Sequence, residues 1–106
     1  MENQEKKACC ACGCRYKADP RGEDTVRKLK NRLSRIQGQL GGLVRMLDEN
    51  RYCGDILTQV AAIERALEAF GDQILREHLE TCVAEELAKG NTEILDEACE
   101  LIRKLK

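Results

Sequence analysis

His78 and Cys82 stand four residues apart in a stretch that reads as helix. That spacing puts both side chains on one face, close enough to hold one metal ion. Cys53 precedes His78 by twenty-five residues. Two thiolates and one imidazole make a soft donor set of low coordination number. Such a set suits Cu(I) and falls short of the four ligands of a closed structural zinc site. The alternative for these three is a pair of small core thiols and a packed histidine. A second group, Cys9, Cys10, Cys12 and Cys14, is too crowded for an easy tetrahedral zinc site. Its soft donors could serve as an accessory metal site.

The elements that must position these residues are helices. Val26, Leu29, Leu33, Ile36, Leu40, Leu43, Val44 and Leu47 recur at steps of three and four, which predicts an amphipathic helix over about 25–49. Asp24 or Thr25 is its expected cap. Gly38, Gly41 and Gly42 weaken this helix, by about 1 kcal/mol each relative to Ala, and point to close approach of a neighbouring helix or a ligand. A second helix is expected from near Cys53 to about Leu87. Its seam is Leu57, Val60, Ile63, Leu67, Phe70 and Ile74, and it continues to His78 and Cys82. Lys89-Gly90-Asn91 is a stop signal, and Ile94, Leu95, Ala98, Leu101, Ile102 and Leu105 form one face of a third helix over about 92–105. The fold class is all-α, three helices with a long central one. Residues 1–24 form a flexible Cys-rich tail and residues 25–106 the helical domain.

If the central helix is continuous, a rise of roughly 1.5 Å per residue separates Cys53 from His78 by about 37 Å. One ion cannot bridge that distance within a chain. Two antiparallel copies related by a twofold axis near residues 66–67 remove the difficulty, because Cys53 of one then lies opposite residues 80–81 of the other. The expected dimer holds two equivalent metal sites, each shared between chains.

The 106 residues fit one domain, with 42% apolar and only 3% aromatic, so the core of a single chain is thin. No apolar run spans a bilayer and no secretory leader is visible, so the expected compartment is the cytoplasm, where seven cysteines stay reduced. There is no nucleophilic triad and no phosphate-binding loop, so an enzyme is not expected. The net charge of −1 conceals an asymmetry. Residues 26–46 carry Arg27, Lys28, Lys30, Arg32, Arg35 and Arg45 without an acid, whereas residues 47–106 carry fourteen acids and seven bases. Lys28, Arg32 and Arg35 share a face away from the apolar stripe and are candidates for DNA phosphates, with Arg27, Lys30 and Arg65 beside them.

The stretch NRLSRIQGQLGGLVRMLDENRYCGDILTQVAAI, followed by HLETC, closely resembles the copper-sensitive operon repressor family. The resemblance covers roughly residues 25–105, and its most specific parts are Tyr-Cys before the second helix and His-x-x-x-Cys near its end. It implies a homotetramer built as a dimer of dimers, which binds operator DNA when metal-free and releases it on ligand binding. It implies Cu(I) held by Cys53 of one protomer with His78 and Cys82 of another. It also implies a supporting role for Tyr52 and for a glutamate on the third helix. That glutamate is Glu97 if the preceding loop is one residue shorter here; otherwise the position falls on Ala98. Nickel/cobalt, formaldehyde and persulfide sensors belong to the same family. Persulfide sensors retain both cysteines and lack the histidine, so His78 favours metal. A thiol sensor using Cys53 and Cys82, and a copper-buffering protein built around the tail, are the alternative readings.

Overall fold

The structure, a computed structural model, describes residues 20–105. Cys9, Cys10, Cys12 and Cys14 lie outside the described residues. Four α-helices follow in order: α1 (Glu23–Asp48), α2 (Cys53–His78), α3 (Ala84–Ala88) and α4 (Glu93–Leu105). A π-helical turn, Leu79–Val83, joins α2 to α3 without a break, so the three together make the long central helix. All described secondary structure is helical, as the periodicity predicts. No helix among the described residues is long and apolar enough to cross a membrane.

α1 starts two residues earlier than expected. Gly22, in extended conformation, stands at the cap, and no side chain bonds to the first turn. Asp24 is therefore not the cap. It lies within the first turn, where a negative charge suits the helix dipole, and it pairs with Arg27. At the other end, Arg51 N–H donates to the Met46 carbonyl at 3.0 Å while Asn50 takes φ 55°. A left-handed residue after the last turn, with a 6→1 bond, is the Schellman ending, and Asn tolerates that conformation better than most non-glycine residues. This turn delivers Tyr52 and Cys53 to the start of α2. Gly90, at φ 89°, ends α3 in the same way, with Asn91 N–H donating to Glu86 O at 2.9 Å.

The central helix runs through Ala88, as expected to about Leu87, but its turn at Leu79–Val83 is π-helical. The Thr81 hydroxyl donates to the Glu77 carbonyl at 2.8 Å, inside the turn that widens. Such back-bonding competes with the backbone for a helical carbonyl and bends the helix, and single π turns are frequent at functional sites.

The chain divides into two compact units, one from Gly22 to Gly71 and the other from Asp72 onward together with the described residues up to Arg21. In the first, Ile36 of α1 and Ile63 of α2 are buried. Leu33, Leu40, Val44 and Leu47 on α1, and Leu57 and Leu67 on α2, stay exposed, reaching 65% at Leu47 and Leu57. In the second, Val83 of the π turn packs with Ile94 and Ala98 of α4, and Cys82 is buried. Leu95 and Leu105, expected on the buried face of α4, are about half exposed.

The α1–α2 turn is open to a direct test. Asn50→Gly should leave the urea midpoint unchanged or higher, because glycine adopts positive φ without strain. Asn50→Val should lower stability by about 1–3 kcal/mol.

Candidate metal centre

His78 ends α2 and is largely enclosed, its side chain 16% exposed. Cys82 is buried in the π turn that follows. The four-residue spacing that suggested a shared face thus spans a widened turn. The Thr81 hydroxyl lies 3.7 Å from Cys82 Sγ. Across from the turn, α4 places Glu97 so that its Oε1 is 3.5 Å from His78 Nε2. The next residue, Ala98, packs in the small core with Val83 and Ile94. Glu97 Oε1 is enclosed by protein and makes no hydrogen bond. A buried carboxylate oxygen in that condition is costly unless a proton on the facing imidazole comes to it.

The other half of the predicted site belongs to the first unit. Cys53 is the first residue of α2 and is exposed. Tyr52 precedes it, 74% exposed, and its carbonyl accepts from Asp55 N–H at 3.0 Å and Ile56 N–H at 3.3 Å. The Tyr52 ring folds against Gly54 so closely that a side-chain carbon there would collide with it. Glycine at this position leaves room for the aromatic ring over the first turn of α2. Among the described residues, no three metal-ligating side chains come together within the chain. The donor types present, one imidazole and two thiols, nonetheless fit a soft ion.

Reasoning from sequence overlooked Arg21, whose guanidinium pairs with Glu77, the residue before His78. Its only signal in the sequence was a charge in a turn-rich segment. Cys99, on α4, is exposed and plays no part in this arrangement.

A family model described as metal-sensitive transcriptional repressor matches residues 25–104. The chain belongs to this family. Among its relatives, the copper-sensing transcriptional repressor RicR of Mycobacterium tuberculosis is 44% identical over 59 residues, which is 56% of this chain and 62% of that protein. The copper-sensing transcriptional repressor CsoR of Bacillus subtilis is 38% identical over 66 residues, 62% of this chain and 65% of its own. The matches therefore span less than two thirds of either relative's length. Among solved structures, the copper-sensing repressor CsoR with Cu(I) from Geobacillus thermodenitrificans superposes with a TM-score of 0.77 at 39% identity, covering 81% of this chain and 91% of its own. The nickel-responsive transcriptional regulator InrS superposes with a TM-score of 0.71 at 37% identity, covering 83% and 100%. The chain thus shares its fold with regulators named for two different metals.

The Glu97 contact can be probed by an isosteric change. Glu97→Gln should keep the helical circular-dichroism spectrum while weakening Cu(I) binding roughly 10- to 100-fold in competition with a chelator, the usual range for losing a partner that orients a metal ligand. Unchanged affinity would show that the carboxylate does not orient the ring.

Proposed function

We propose that the chain is a Cu(I)-responsive transcriptional repressor, which binds operator DNA in its metal-free state and releases it when Cu(I) binds Cys53, His78 and Cys82. The observation that supports this reading is the 3.5 Å approach of Glu97 Oε1 to His78 Nε2, four residues before the buried Cys82. The third ligand is Cys53 of a second copy. The exposed apolar residues of α1 and α2 support such a partner, since amphipathic helices with this much uncovered leucine surface bury it by association. A homodimer or homotetramer with sites shared between chains follows.

The donor chemistry favours copper over nickel. Nickel(II) prefers tetragonal sites rich in nitrogen and oxygen, whereas this chain has one histidine and seven cysteines. Names of the copper-sensing relatives point the same way.

Cu(I), when bound, would supply a cross-link between the start of α2 in one chain and its end in another. His78 and Cys82 then hold the far end of α2 to the partner. Glu97 reports the position of the ring to α4, and Tyr52 lies where the partner's end must approach. Lys28, Arg32 and Arg35 are exposed on one face of α1 and serve phosphates. Arg27 is paired with Asp24, Lys30 lies on a different face of α1, and exposed Arg65 contributes from α2. A coupling of about 1–3 kcal/mol between the metal and DNA sites is typical of allostery and changes DNA affinity by 5- to 150-fold.

His78→Ala separates the two activities. In anaerobic fluorescence-anisotropy titrations against DNA upstream of its own gene, this variant should bind as tightly as the parent and no longer release on adding Cu(I). Release that persists without His78 would favour a sensor working through Cys53 and Cys82 alone.

A further inference from the structure

Four cysteines have no part in the proposed function. Cys9, Cys10, Cys12 and Cys14 fall within six residues and lie outside the described part of the chain. Lys6 and Lys7 precede them and Arg15 and Lys17 follow, with no acid between residues 6 and 18. Thiols this close in sequence are soft donors suited to Cu(I), an ion content with few ligands. Cations beside thiols favour the thiolate, the form that binds metal.

The structure shows where the chain leaving this segment is held. Just before α1, the Arg21 guanidinium pairs with the Glu77 carboxylate, fifty-six residues away in sequence. Both side chains are partly enclosed, at 32% and 20% exposure, unlike the more open ion pairs within single helices. Glu77 immediately precedes His78, and Cys82 lies in the turn that follows. This element is acidic. Residues 77–97 carry seven acids, with Lys89 as the only lysine or arginine. A basic, thiol-bearing segment is therefore joined through Arg21 to the acidic element that carries two of the proposed ligands.

The connection is short. Cys14 precedes Arg21 by seven residues. At no more than about 3.6 Å per residue, it stands within about 25 Å of Arg21. A second binding group on so short a tether acts at an effective concentration on the order of millimolar.

We infer that Cys9, Cys10, Cys12 and Cys14 form a capture site for Cu(I), and that the Arg21–Glu77 pair docks it where it can pass the ion to Cys82 and His78. The inference rests on the Cu(I) reading of that centre and deepens it by giving the ion a route of entry. Each transfer is an exchange of ligands. A new Sγ–Cu bond forms as the bond to the departing donor breaks. The incoming thiol releases its proton, a departing thiolate takes one up, and copper stays at +1 throughout.

The full chain tests this anaerobically. Cu(I) is supplied as its coloured bicinchoninate complex, whose absorbance falls as the protein takes copper, while anisotropy of labelled upstream DNA reports release. A variant carrying Cys9→Ser, Cys10→Ser, Cys12→Ser and Cys14→Ser should bind about one Cu(I) per chain where the parent binds more, and should release DNA roughly ten-fold more slowly on limiting copper. Its DNA affinity without copper should match the parent's. Arg21→Ala should keep the parent's copper count and uptake yet delay DNA release several-fold, and Arg21→Lys should restore the rate. Helical circular dichroism verifies that each variant is folded. A four-cysteine variant with the parent's copper count overturns the capture site, and Arg21→Ala releasing DNA at the parent's rate overturns the docking. If the four-cysteine variant binds no copper, the reading of Cys53, His78 and Cys82 as a metal centre fails and the handover fails with it. If that variant binds its one ion and releases DNA as fast as the parent, the centre stands and the capture route alone fails.

Discussion

Val83, Ile94 and Ala98 form the contact on which the proposed sensing half depends. The cluster is small, yet it decides where α4 lies against the π turn and hence where Glu97 stands relative to His78. Ala98 has no freedom to face the imidazole because its methyl group fills the core. Glu97, one residue earlier, is turned about 100° around the helix by the 3.6-residue repeat and meets the ring instead. The enclosed Oε1 of Glu97 makes no hydrogen bond and stands 3.5 Å from the imidazole.

Scarcity of buried surface governs the rest of the molecule. Only Ile36, Ile63, Cys82, Val83, Ile94 and Ala98 form the buried hydrophobic set, and none of them is aromatic. The leucines of α1 and α2 are laid out with helical regularity but remain open to water in the single chain. Chains of this length bury too small a fraction of their surface to be amply stable alone, and self-association is a common remedy.

Local strain is concentrated where chemistry is expected. The turn at Asn50 holds a positive φ immediately before Tyr52 and Cys53, and the π turn contains Cys82. Glycines weaken α1 along its charged side. None of these choices is the most stable available, since glycine at 50, a regular helix through 79–83, or alanine at 38 and 42 would each be easier for the backbone. Departures of this kind accumulate at functional positions because selection there acts on geometry as well as on stability.

The sequence by itself determined the helices, the break at residues 49–52, the glycine stop at Gly90 and the asymmetry of charge, because each is a local property of periodicity, turn chemistry or composition. Its spacing of Cys53 from His78 argued for a ligand from a second chain, an expectation carried into the proposed function. Only tertiary structure decided that Glu97 and not Ala98 faces His78, since that depends on the exact rotation of α4 against Val83, which a one-residue ambiguity in loop length obscures. Tertiary structure alone produced the π turn at Cys82, where a threonine hydroxyl competes for a backbone carbonyl, and the pairing of Arg21 with Glu77, two charges fifty-six residues apart that no local pattern joins.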